Sequence, residues 1–138
     1  MPRNYDQRHT VYADASFRPN PKWSLNAAWH FHSGWPYTQI TYEKVPVDGG
    51  FIFMPRYGPI NAARYPAFHS MDIKVSRYFI TAASRVAVFV EVTNFYNRFN
   101  VRNYYYEDER LPSGEVILVR KADRWLPRLP SIGVRWEL

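Results

Sequence analysis

Ser131-Ile132-Gly133-Val134-Arg135-Trp136-Glu137-Leu138 decides the fold of this chain. Ile132, Val134, Trp136 and Leu138 share one side of an extended segment; Gly133, Arg135 and Glu137 share the other. A period of two marks a strand with one apolar and one polar face. A soluble protein seldom leaves such an aromatic edge bare, because unpaired N–H and C=O groups template aggregation. A transmembrane barrel can end this way, since its last strand pairs with its first and no edge remains.

Four earlier segments alternate likewise. Val11, Ala13, Ala15 and Phe17 oppose Thr10, Tyr12, Asp14 and Ser16. Trp23, Leu25, Ala27, Trp29 and Phe31 oppose Ser24, Asn26, Ala28, His30 and His32. Met71, Ile73 and Val75 oppose Ser70, Asp72, Lys74 and Ser76. Val86, Val88, Val90 and Val92 oppose Ala87, Phe89, Glu91 and Thr93. Each run supplies the roughly 9–11 residues of a bilayer-crossing strand, where globular strands peak near 5–6. The pattern predicts five antiparallel strands over about 7–17, 22–34, 68–79, 84–97 and 130–138. They form an up-and-down all-β meander, read as part of a large transmembrane barrel. The prolines are expected outside these segments. The connectors after the first and third strands are short, and the stretches from Trp35 to Ala67 and from Arg98 to Leu129 are long. Short turns on one side and long loops on the other describe bacterial barrels, with turns periplasmic and loops extracellular.

Facing follows from parity. Val11, Leu25, Trp29, Ile73, Val88, Val90, Val134 and Trp136 are expected on a lipid-facing side, and Asp14, Asn26, His30, Lys74, Glu91 and Arg135 on a lumen side. Closing Phe17 on Trp23 sets Ala15 opposite Leu25 and Val11 opposite Trp29. Closing Phe79 on Ser84 sets Val75 opposite Val88 and Asp72 opposite Glu91. Phe17, Trp23, Tyr78 and Phe79 flank the turns, and Trp136 lies near the terminus, where barrels carry aromatic girdles. The competing use of such residues is the core of a soluble sandwich.

Composition narrows the classes. Aromatic residues make 18% of the chain and charged residues 22%; the first figure is well above ordinary usage. No run reaches transmembrane-helix length, and a mean hydropathy of −0.45 hides the apolar half of any barrel strand. The net charge is +6, but the cations form no block, so a nucleic-acid partner is not expected. With no Cys, disulfides and thiolate metal sites are excluded. Met1-Pro2-Arg3-Asn4 reads as no signal peptide, so the chain is expected to be cytosolic or the downstream piece of a longer one.

Several stretches together resemble the C-terminal barrel segment of TonB-dependent outer-membrane receptors. Ser33-Gly34-Trp35-Pro36-Tyr37-Thr38 is similar to that family's Ser-Gly-x-Pro-aromatic-Thr element. Arg64-Tyr65-Pro66, then Met71-Asp72-Ile73-Lys74-Val75-Ser76-Arg77, resembles its Arg-x-Pro and following Leu-Asp-Leu-Arg-Val-Ser-Lys strand. Glu91-Val92-Thr93-Asn94-Phe95-Tyr96-Asn97 resembles its strand exit Asn-Leu-Phe-Asn, and a Pro-x-x-Gly-x-x-Trp strand closes the chain. The resemblance implies that residues 1–138 are the terminal part of a barrel of about 22 strands. The signal peptide, TonB box, plug and other strands would lie outside this piece. It implies a Gram-negative outer membrane, import of scarce nutrients such as siderophore-bound metal, vitamins or glycans, and no enzymatic activity. The implied partners are membrane lipid, the rest of the barrel and plug, TonB through the N-terminal part, and the barrel assembly machinery. Gly133, Trp136 and Leu138 would belong to the sorting signal that machinery reads. The family usually ends in Phe or Trp, and this chain ends in Leu138. The alternative is a soluble β-barrel or sandwich binding a small molecule or single-stranded nucleic acid.

Other chemistry is thin. His30 and His32 lie on one face and His69 begins the next strand, a low-ranking metal constellation beside a hydrogen-bonding wall; no metal and no cofactor is expected. Asp72 and Glu91, opposite in the expected register with Lys74 diagonal, read as an ion network more readily than as a hydrolase pair. No nucleophile elbow, phosphate-cradling loop or dinucleotide fingerprint occurs. Trp35, Tyr37, Tyr42, Phe51, Phe53, Tyr57, Tyr104, Tyr105 and Tyr106, interleaved with Arg56, Arg64, Arg102 and Arg110, could stack on ligand rings; loop-on-loop packing is the commoner use. Gly49-Gly50 reads as a turn.

Overall fold

The computed structural model describes residues 3–137, with Glu137 as backbone alone. In chain order the strands are β1 (Thr10–Asn20), β2 (Trp23–His32), β3 (Pro36–Tyr37), β4 (Ile40–Val47), β5 (Gly50–Tyr57), β6 (Ala63–Arg64), β7 (Phe68–Ile80), β8 (Arg85–Thr93), β9 (Val101–Arg110), β10 (Val116–Arg124) and β11 (Leu129–Glu137). The main sheet has the order β1-β2-β7-β8-β11, an antiparallel meander. These five strands are the five expected from alternation, displaced at their ends by a few residues. No helix occurs among the described residues, so none could cross a membrane; that says nothing of crossing by strands. The sheet does not close: β1 pairs only with β2 and β11 only with β8 among the described residues.

Both expected hairpin registers are corrected by two residues. Phe17 faces Leu25 and Val11 faces Phe31; Val75 faces Val90 and Phe79 faces Val86. In the first hairpin, β1 runs on to Asn20, which pairs with Trp23 across a bulge at Arg18 and Pro19. In the second, Ile80 still pairs with Arg85, and Thr81 closes the turn by accepting from Ser84 N–H at 3.0 Å. A slip of two keeps every side chain on its face, because the strand period is two.

The long connectors are not plain loops. β4 and β5 form a hairpin turning at Asp48-Gly49, where Gly49 has φ 89°, a value that favours glycine. β9 and β10 form another, closed around Gly114 at φ 85°. Two-residue strands β3 and β6 pair beneath the first. Two prolines enter the main sheet, contrary to expectation: Pro19 at the bulge and Pro130 in β11; Pro36, Pro46 and Pro55 lie in the loop strands. Among the described residues these strands lack a neighbour on at least one side, so a missing N–H need not break a ladder bond.

Candidate functional site: a two-faced sheet with clasped loops

The ladders place residues in rows across the sheet. One row is Phe17, Leu25, Val75, Val90 and Ile132; the next is Ala15, Ala27, Ile73, Val92 and Pro130. Val11, Trp29, Val88, Val134 and Trp136 share that face by the same registers. Asp14, Asn26, His30, Lys74, Glu91 and Arg135 all share the other.

Burial on the two faces is the reverse of an ordinary domain. None of the described side chains on the apolar face is buried; Ile132 is 75% exposed, Val134 and Trp136 68%, and Val90 48%. The buried sheet residues are Ser24, Ser70, Ser76, Tyr78 and Ala87, all on the polar face. Among the described residues only Tyr78 and Ala87 are buried hydrophobics. Water is expected to drive apolar area inward. Here the interior is built from hydroxyls and amides, and the aliphatic side is open.

Aromatics bracket the open face. Toward the short turns, Trp23, Arg77 and Phe79 stand together, the Arg77 guanidinium carbon 5.3 Å from the Trp23 ring and 5.2 Å from Phe79. Toward the loops, Trp29 stacks on Phe31 with centroids 5.9 Å apart, and His69 Nδ1 lies 2.6 Å from the Tyr96 hydroxyl. From His69 to Phe79 the strand rises roughly 33 Å, about 25 Å along a normal for a strand tilted by about 40°. Tyr78, expected among the turn aromatics, instead lies buried on the polar face beneath Arg85, 4.3 Å away.

On the polar face, Lys74 faces Glu91 directly and pairs with it at 3.2 Å; Asp72 does not lie opposite Glu91. Lys74 also covers the Phe89 ring at 3.9 Å, and that ring lies over Gly133, where an added Cβ would come within 2.4 Å of it. His30 and His32 share this face, but His69 pairs with Phe31 and faces the other way. The three imidazoles are therefore not brought together. Among the described residues no group of three His, Cys, Asp or Glu could hold a metal ion. His32 instead stacks on Phe68 at 4.7 Å and Trp35 at 5.3 Å, beside a hollow of about 290 Å³ lined partly by Tyr12, His30, Ser70, Asp72, Trp125 and Leu126.

No family model, no curated protein and no solved structure matches this chain.

The motif residues find their meaning in the clasps at the loop end. Ser33 Oγ accepts from the N–H groups of Arg8 and His9 at 2.9 and 3.1 Å. Arg64 donates to the carbonyls of Asp6 and Gly34 at 2.9 and 3.0 Å and pairs with the Asp6 carboxylate. Tyr65 N–H reaches the Trp35 carbonyl at 3.0 Å, and Pro36 pairs with Arg64. Gly34 packs so closely that a Cβ would fall 1.6 Å from the Tyr65 oxygen. The strand exit is held by Asn94, 2% exposed at φ 50°. Its amide donates to the carbonyls of Arg98 and Leu126 at 2.9 and 3.1 Å, its Oδ1 accepts from Arg98 N–H at 3.0 Å, and its own N–H reaches Asp72 at 2.9 Å. Asn100 clamps both backbone groups of His69. Sequence reading passed over Asn100; a lone Asn in a loop carries no signal of that role.

The loop aromatics pack on one another. Tyr37 stacks on Tyr65 at 4.4 Å, Tyr65 on Tyr104 at 5.4 Å, and Tyr42 meets Tyr106 edge-on at 4.8 Å. Lys44 joins the hairpins through Glu115 at 3.2 Å. Burial pushes the Tyr65 phenol above its usual range, and the neighbouring hydroxyls of Tyr37 and Tyr104 push it further. The Glu107 carboxylate, by hydrogen bond and charge, raises the Lys121 ammonium.

Proposed function

We propose that this sheet is part of the wall of a transmembrane β-barrel, the C-terminal segment of a TonB-dependent receptor in a Gram-negative outer membrane. The observation that carries the reading is the inverted sheet: its aliphatic face is open while serines and a tyrosine are covered on the other. In hydrocarbon such a face is solvated by acyl chains, and the backbone must be satisfied by closed pairing. The two free sheet edges would pair with further strands of the same wall. The aromatic levels, about 25 Å apart by the estimate above, match the height of an outer-membrane apolar band. The clasp at Ser33, Gly34 and Arg64, and the Asn94 exit, fall on the residues by which the chain resembles that receptor family.

On this reading Val11, Leu25, Trp29, Ile73, Val88, Val90, Val134 and Trp136 touch lipid, and Asp14, Asn26, His30, Lys74, Glu91 and Arg135 line the lumen. The function is structural support for nutrient import: the barrel encloses a plug, TonB acts through the N-terminal part, and this segment performs no catalysis. Gly133, Trp136 and Leu138, the last outside the described residues, serve the barrel assembly machinery. A soluble sandwich would instead have to cover Val90, Ile132 and Val134 with a second sheet. Flotation with lipid vesicles tests the choice. A wall segment rises with the vesicles and needs detergent for extraction; a soluble module stays in buffer.

A further inference from the structure

We propose that Arg77, held between Trp23 and Phe79, binds the phosphate of a phospholipid in the leaflet at the short-turn side. The site deepens the membrane reading above and rests on it. Arg77 is exposed, and it is a full charge on the face that carries Val88 and Val134 in its own row. Its guanidinium carbon lies 5.3 Å from the ring of Trp23, its cross-strand partner, and 5.2 Å from that of Phe79, two residues along the strand. Among the described residues it has no acidic partner. A guanidinium in cation–π contact keeps N–H donors for an oxyanion, which arginine meets bidentately.

Charge at this level points the same way. Arg18 and Lys22 also lie at the turn end, both exposed, and neither has an ion-pair partner among the described residues. The ion pairs that do form lie at the loop end, apart from Lys74–Glu91 on the polar face. Cations gathered at this end complement a layer of phosphates. Trp23 and Phe79 supply the apolar contact expected at headgroup depth.

The test is native mass spectrometry of the full chain in detergent micelles, titrated with phosphatidylglycerol, phosphatidylethanolamine or diacylglycerol. Flotation with phosphatidylcholine vesicles runs alongside. The wild type should retain either phospholipid and not diacylglycerol. Arg77→Gln should weaken retention roughly tenfold, since a charge-assisted contact is lost. Arg77→Lys should fall between, and Arg56→Gln at the opposite end should match wild type. Arg77→Gln should still float. Equal retention by Arg77→Gln, equal retention of diacylglycerol, or displacement by millimolar inorganic phosphate would overturn the lipid site while the membrane reading stands. A chain that never floats overturns both.

Discussion

Replacing Val90 with arginine separates a lipid-facing wall from a wet one. Val90 lies between the aromatic levels: its partner Val75 is four residues from Phe79 and six from His69. That places it roughly 13 Å along the strand from the turn level and roughly 20 Å from the loop level, well inside the proposed span. An arginine there costs about 2–4 kcal/mol on the lipid face of a barrel, roughly 30- to 700-fold in the folding equilibrium. In water the same change at a half-exposed valine costs within about 0.5 kcal/mol. Depth supplies an internal control, because Trp136→Arg at the turn level should cost only about 0–1 kcal/mol for the charge, beyond the ring packing it loses. Denaturant titration of the chain in lipid vesicles reads the shift. A Val90→Arg cost near zero, with Val92→Arg equally mild, would refute the reasoning.

Asn94→Ala should destabilise the loop end by about 2–4 kcal/mol, because it strands the Arg98 and Leu126 backbone groups and leaves a Cβ residue at positive φ; Asn94→Gly should recover only the strain, as read by amide exchange near Leu126. Gly34→Ala should prevent folding of the clasp, since the blocking atom is backbone oxygen. Gly133→Ala should cost only about 1–3 kcal/mol, because the Phe89 ring can swing away, and Phe89→Ala in the same chain should absorb most of that loss. The Tyr65 phenol has a folded pKa raised by burial and its tyrosine neighbours. Its contribution is therefore full below the unfolded tyrosine pKa and lost as pH climbs through the folded one. Tyr65→Phe should remove that alkaline loss, as followed by phenolate absorbance and unfolding midpoint.

The main strands were legible because each is long and strictly alternating, so hydrophobic parity alone fixes strand and face. Register was not legible to the residue. The ends of β1 and β7 extend past their apolar runs, and the bulge at Arg18-Pro19 has no apolar signature. A slip of two leaves parity intact yet exchanges the expected Asp72–Glu91 pairing, with Lys74 diagonal, for a direct Lys74–Glu91 ion pair. The hairpins β4–β5 and β9–β10 went unseen because tyrosines and charges occupy both their faces, as in strands with no buried side. Asp48-Gly49 and Ser113-Gly114 were the available turn signals. The side on which His69 stands relative to His30 and His32 depends on the ladder between β2 and β7, which puts it beside Phe31.

On the proposed reading, one face of this sheet meets hydrocarbon. The chain has no cysteine, so single cysteines from Val86 to Val92 can each carry a spin label in lipid vesicles. Relaxation by oxygen, which concentrates in the bilayer, should peak at Val86, Val88, Val90 and Val92. Relaxation by a water-soluble nickel chelate should peak at Ala87, Phe89 and Glu91. Chelate access at all seven positions, or shielding of the valines from both agents, would contradict the account.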